Sequence, residues 1–152
     1  MNIYFAGPLF TLAERRFNEE LSAEMQRRMP ALDIFFPQAC DHDLQGQPDF
    51  AARLYRVLID AVDRCDAVVA ILDGPDSDSG MCIEVAYAHA KGKPVIGVRT
   101  DFRDGEIHGL NIMTAGICSA IVKLPSNTST IDDVAEKVVE ALKCHCTSGC
   151  PF

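Results

Sequence analysis

Apolar residues fall into five short runs, and longer segments with a helical period separate them. The runs are "NIYFAG", "LDIFFP", "DAVVAIL", "PVIGV" and "CSAIVKL". Each is bounded by Gly, Pro or polar residues, which predicts strands. "DAVVAIL" is apolar at nearly every position, as expected of a strand buried on both faces. After the first run, "TLAERRFNEELSAEMQRRMP" reads as a helix. Thr11 with Glu14 three residues on forms a capping box, Phe17, Leu21 and Met25 make a stripe, and Pro30 stops it. The period returns from Phe50 to about Arg64 through Leu54, Val57, Leu58, Ala61 and Val62. A further helix is expected after the third strand, to about Gly92. The last, "TIDDVAEKVVEALK", is capped by Thr130 with Asp133. Two stretches break the pattern. "QACDHDLQGQPDF" reads as a polar loop of a length often tied to function. "RTDFRDGEIHGLNIMTAG" reads as a long loop with room for one turn of helix.

Strands alternating with helices, and strands that are continuously apolar, specify an α/β parallel sheet with helices on both faces. Five strands suggest the flavodoxin-like order 2-1-3-4-5 in a single domain over residues 1–143. The tail 144–152, "CHCTSGCPF", is expected to be poorly ordered. In such sheets ligands sit at the carboxyl edge, where the strand order reverses between strands 1 and 3. The loops flanking that crevice are "AGPLF" and "DGPDSDSG", which nominates Gly7 and Phe10 as ligand contacts.

Charge narrows the partners. Asp plus Glu is 22 and Lys plus Arg is 14, a net −8 over 152 residues. That opposes binding long nucleic acid through its phosphates but not binding an uncharged nucleoside. No apolar run approaches the length of a membrane span, and "MNIYFAGPLF" has no basic leader, so a cytoplasmic location is expected. Of seven Cys, Cys65, Cys82 and Cys118 lie in or beside apolar runs and read as small hydrophobes. Cys144, Cys146 and Cys150 with His145 match no closed zinc spacing. No metal or cofactor is expected.

The candidate chemistry lies in "DGPDSDSGMCIE", residues 73–84. Glu84 is expected in the first turn of the helix after strand 3, where the helix dipole would keep it ionised. An ionised carboxylate facing the crevice suits a nucleophile. Asp78 would accept hydrogen bonds from a substrate hydroxyl, and Gly80 would let backbone approach a ligand. Tyr4, on the neighbouring strand, would orient the carboxylate, although Tyr also suits strands for packing alone. Asp-rich turns also cap helices with no further role. The spacing is not an EF-hand, since position six is Asp78 rather than Gly. Nor is it a phosphate loop: the Gly-rich pattern is missing and three Asp would repel phosphate.

Three blocks in order, "IYFAGPLF", "CDAVVAILDGPDSDSGMCIEVAYAHAKGKPVIGV" and "GLNIM", resemble the nucleoside 2-deoxyribosyltransferases. The resemblance covers most of the chain and implies a retaining double displacement. Glu84 would attack C1′ of a 2′-deoxynucleoside and displace its base, and a free nucleobase would then attack the covalent deoxyribosyl intermediate. Tyr4 matches the Tyr that bonds the nucleophile, and Asp78 the Asp that holds the sugar hydroxyls. Asn111 and Met113 match residues that a neighbouring subunit supplies, which implies a homo-oligomer. The chain departs from the family pattern in places. "GM" replaces the common "GT". Leu58 stands where many members carry an Asp or Asn that helps protonate the leaving base; Asp73, Gln38 and Asp41 are the alternatives for that role. Arg99 and Arg103 form either a solvated ion-pair cluster or a 5′-phosphate site. Competing readings are hydrolysis of a nucleoside 5′-monophosphate and a nucleotide-binding module without turnover.

Overall fold

In the computed structural model, which describes residues 1–44, 46, 48–103 and 109–147, every apolar run becomes a strand. They are β1 (Asn2–Ala6), β2 (Asp33–Phe35), β3 (Ala67–Ile71), β4 (Val95–Arg99) and β5 (Ala120–Lys123). All neighbours are parallel and the order is β2-β1-β3-β4-β5. The helices are α1 (Leu12–Arg28), α2 (Pro37–Leu44), α3 (Phe50–Arg64), α4 (Ser79–Ala90), α5 (Ile112–Gly116) and α6 (Ile131–Thr147). This is the doubly wound, flavodoxin-like α/β fold that the alternation implied.

The period of two along each strand divides the core into two layers. Ile3 and Phe5 of β1, with Val69 and Ile71 of β3, face α1 and α6. Tyr4 and Ala6, with Val68, Ala70 and Leu72, face α3 and α4. On α1, Leu21 and Met25 are fully buried; each contributes about 2–3 kcal/mol by leaving water. The capping box at Thr11 and Glu14 forms in full. Arg28 of α1 ties that layer together through Asp132 (2.7 Å) and Glu136 (3.3 Å) of α6.

Three expectations are corrected. The polar stretch after β2 is not a plain loop: it opens with α2, and Pro37 stands at its first position, where a missing N–H costs nothing. The last helix does not stop at Lys143 but continues to Thr147, so Cys144, His145 and Cys146 are helical; residues 148–152, with Cys150, lie outside the described residues. Arg99 is not in a solvated cluster. It is 2% exposed at the end of β4, and its Nη1 donates to the carbonyls of Leu72 (2.5 Å) and Gly74 (2.8 Å). It thereby secures the carboxyl end of β3, where the crevice begins. Among the described residues no helix is long and apolar enough to cross a membrane.

Candidate active site

Tyr4 and Glu84 meet because the fold leaves them no other face. Tyr4 points to the α3/α4 side of the sheet, and α4 returns from β3 across that same side. The Tyr4 hydroxyl donates to Glu84 Oε1 at 2.7 Å, joining residues 80 apart in sequence. Tyr4 is fully buried and stacks on Phe35 of β2, with ring centroids 5.4 Å apart. Its ring is therefore fixed, and so is the direction of its hydroxyl.

Glu84 differs from expectation in place and in charge. Asp78 is the N-cap of α4, its Oδ2 accepting from the Met81 N–H at 2.8 Å. Glu84 lies six residues past that cap, in the second turn, where the dipole has largely fallen away. Burial pushes its carboxyl up to about 7. The Tyr4 hydrogen bond pulls in the opposite direction, and the negative charge of Asp78 adds to the rise. The carboxyl is thus poised between acid and base near neutral pH rather than held firmly ionised. The same environment pushes the Tyr4 hydroxyl strongly upward, burial first and the Glu84 charge second, so it remains a donor.

A cavity of about 250 Å³ opens beside Glu84 at the carboxyl edge of the sheet. One wall is Gly7, Leu9 and Phe10, from the turn after β1. Another is Asp78, Gly80, Met81 and Glu84, from the start of α4. Leu54 and Leu58 of α3, with Pro37 of α2, close the far side. Gly7 is needed for close approach, since a Cβ there would come within 3.0 Å of Ile71 Cβ. At Gly80 a Cβ would lie 3.1 Å from Asp78 Oδ2, so its smallness protects the cap carboxylate as well as the cavity mouth. Met81 of "GM" is 1% exposed and packs in the α3/α4-side core while also lining the cavity. A larger cavity, about 490 Å³, lies between β2 and α3 and holds none of the expected site residues.

Of the residues nominated from sequence, Tyr4, Gly7, Phe10, Asp78, Gly80 and Glu84 come together. Others do not. Asp73 takes the N–H groups of Thr100 (2.6 Å) and Asp101 (2.9 Å) and the Thr100 hydroxyl (2.5 Å). It pins the β3 and β4 ends together, and both its oxygens are engaged. Gln38 is buried and turned toward α1, donating to Glu19 Oε1 (2.6 Å) and to the Arg15 carbonyl (3.2 Å). Asp41 falls on α2, and its side chain lies outside the described residues. Asn111 caps α5, its Oδ1 accepting from the Met113 N–H at 2.8 Å, and Met113 is 73% exposed; neither lines this cavity. Arg103 pairs with Asp101, which holds that carboxyl well below the usual range; Asp104 and Glu106 lie outside the described residues. Sequence reasoning missed Leu9, Leu54 and Pro37 as cavity walls, whereas Leu58, which stands where many family members carry an Asp or Asn, does line the cavity. The signal for α3 was present, because its apolar stripe runs on past the buried Ala61 and Val62 toward the crevice.

The sequence profile described as nucleoside 2-deoxyribosyltransferase matches residues 3–128. The chain belongs to the nucleoside 2-deoxyribosyltransferase family. A search of curated proteins gives no match. Among solved structures, a conserved protein of Enterococcus faecalis V583 is 29% identical, with a TM-score of 0.76 over 93% of this chain and 99% of that one. A 2-deoxyribosyltransferase from Bacillus psychrosaccharolyticus is 17% identical, with a TM-score of 0.66 over 89% and 90%. A CMP N-glycosidase from Clostridium botulinum is 16% identical, with a TM-score of 0.56 over 94% and 99%. The latter two share the fold.

Proposed function

We propose that the protein transfers 2-deoxyribose between nucleobases, with Glu84 as nucleophile. The observation that carries this reading is the 2.7 Å hydrogen bond from a fully buried Tyr4 to a carboxylate at the rim of the cavity. Glu84 attacks C1′ and the base departs with the electrons of the C1′–N bond. A second base then attacks C1′ from the face the first one left and releases Glu84. Two inversions give net retention. A substrate without a 2′-hydroxyl reaches an oxocarbenium-like transition state more easily, so a carboxylate suffices. Asp78 is fixed by its capping bond through Oδ2, and Oδ1 serves the sugar hydroxyls.

The cavity favours a nucleoside over a 5′-monophosphate. Among the described residues its walls carry two carboxylates and no Lys, Arg or His. Arg99 and Arg103 are engaged by backbone carbonyls and by Asp101.

The site is completed by a second copy of the chain. Asn111 and Met113 are exposed, as is Ile112 at 60%. On α4, Ile83, Ala86 and Ala90 form an exposed apolar stripe at helical spacing, which would suit packing against a second copy.

Incubation with deoxyinosine and free adenine, followed by chromatography, tests the reading. Deoxyadenosine is expected, and Glu84→Ala is expected to make none. Release of hypoxanthine with no new nucleoside would instead assign water as acceptor, and unchanged turnover by the variant would remove Glu84 as nucleophile.

A further inference from the structure

The cavity wall built by residues 7–10 is held from its far side. Gly7, Leu9 and Phe10 line the cavity, whereas Pro8 lines a separate hollow with Glu14, Phe17 and Asn18 of α1. The segment follows β1 and is neither helix nor strand. Among the described residues no backbone–backbone turn or loop bond involves it. Packing does not fix its tip either, since Phe10 is 76% exposed. What holds it is a set of side chains on α1. Asn18 Nδ2 donates to the Pro8 carbonyl at 2.9 Å, and Arg15 Nη1 to the Leu9 carbonyl at 3.4 Å. The Phe10 N–H donates to Glu14 Oε2 at 3.0 Å.

Asn18 stands out among these. It is 3% exposed, on a helix whose other buried residues are Leu21 and Met25. A buried amide is costly unless its hydrogen bonds are made, and the shorter of its two goes to the loop. The longer, at 3.5 Å, reaches Gln38 Oε1. Gln38 follows Pro37, a cavity residue, and is tied to the Arg15 carbonyl and to Glu19. The loop after β1 and the start of α2 therefore hang from one stretch of α1, residues 14–19.

We infer that Asn18 is a positioning residue for the nucleoside cavity: its carboxamide sets the place of residues 7–10, and through Gln38 that of Pro37, without touching the ligand. The inference rests on the proposed function for the identity of that ligand and not for the chemistry done on it. Tyr4 and Glu84 are held separately, by their own hydrogen bond and by the stacking of Tyr4 on Phe35. Loosening the loop thus weakens binding and leaves the reacting pair in place. An amide that served the fold alone would act only through the stability of α1.

The test is deoxyinosine binding, measured by calorimetry on the full chain carrying Glu84→Ala, with and without Asn18→Leu. Leu keeps roughly the volume and removes the donor, and Kd is expected to rise about tenfold. With Glu84 intact, Asn18→Leu should raise the apparent KM by a similar factor, keep kcat within about twofold, and leave the acid limb of the pH profile unmoved. Leu21→Ala weakens the same helix by packing and should lower Tm while Kd stays unchanged. Arg15→Met, at a half-buried position, removes the longer bond to Leu9 and should raise Kd about threefold; it decides the matter if Asn18→Leu does not fold. An unchanged Kd in the folded variant would overturn the positioning role and spare Glu84. An equal rise in Leu21→Ala would overturn it as well, because helix stability would then be the cause. No exchange by the wild type, with Kd still sensitive to Asn18, would remove the transferase reading and spare Asn18. No binding by the Glu84→Ala parent would overturn both.

Discussion

Burial beside Tyr4 makes Glu84, the proposed nucleophile, a liability for stability at the pH where it would react. In the unfolded chain its carboxyl has the ordinary value of 4.5, and in the folded chain it is pushed up to about 7. The folded state therefore holds that proton more tightly. Its contribution to stability is complete below about 4.5 and is lost as the pH rises through about 7. The difference amounts to about 3 kcal/mol at most. Glu84→Gln keeps the shape and an oxygen facing the Tyr4 hydroxyl but removes the titration. The variant should be inactive yet melt about 6–12 °C above the wild type at pH 8, with the gap closing by pH 4. Melting curves that stay parallel across that range would show the carboxyl is not destabilised by burial. Tyr4→Phe tests the opposing force. A hydrogen bond to a charged group contributes about 1.5–3 kcal/mol. Without it the Glu84 carboxyl should rise further, moving the acid limb of the kcat/KM profile up by about one unit or more. Activity would fall about tenfold at pH 7 and recover at pH 9. An unmoved limb would mean another group controls it.

At the scale of elements, α4 does two jobs with its two sides. Met81, Val85 and Ala88 are buried against the sheet, while Ile83, Ala86 and Ala90 face outward. Ile83 is 65% exposed, so Ile83→Asp should cost the lone chain no more than about 0.5 kcal/mol. If α4 packs against another copy, the same change should shift the species seen by light scattering toward monomer with circular dichroism unchanged. A wild type that is already monomeric sinks this role for α4. Elements differ in how legible they were. The five strands and the long helices repeat their signal over many residues, so the order and both layers could be read from apolar periodicity. Helix α2 could not, because its eight residues mix polar and apolar positions and are too few to build a period; Pro37 at its start was the one available cue. The site was legible where a repeat placed it, as with Tyr4, set on the α4 side by the period of two. It was illegible where a carboxylate chose between ligand and backbone. Asp73 reads as a crevice acid until Thr100 and Asp101, 27 and 28 residues away, are seen to occupy it. Glu84 read as an ionised residue because its burial depends on how α3, α4 and β1 close around it.

The whole molecule puts its candidate sugar contacts in two places that one chain does not join. Glu84 and Asp78 face the cavity, with Tyr4 buried behind Glu84, whereas Asn111 and Met113 project from α5 with their side chains exposed. Asn111 is already anchored by its cap to the Met113 N–H, so the α5 start is a rigid presentation rather than a loose loop. A rigid, exposed polar–apolar pair is suited to completing a neighbour's cavity, where preorganisation lowers the cost of association. Mixing decides the matter, because it separates sharing from mere proximity. Glu84→Ala removes the proposed nucleophile but leaves α5 intact. Asn111→Ala combined with Met113→Ala leaves the nucleophile but removes the donated contacts. Each alone should be close to inactive. If the sites are shared between two chains, mixed assemblies contain one cavity with a wild-type Glu84 facing a wild-type Asn111 and Met113. Co-expressed with different affinity tags and purified through both, the mixture should recover up to about half the wild-type activity per assembly when that geometry is twofold. No recovery in doubly tagged assemblies would place Asn111 and Met113 in service of their own chain.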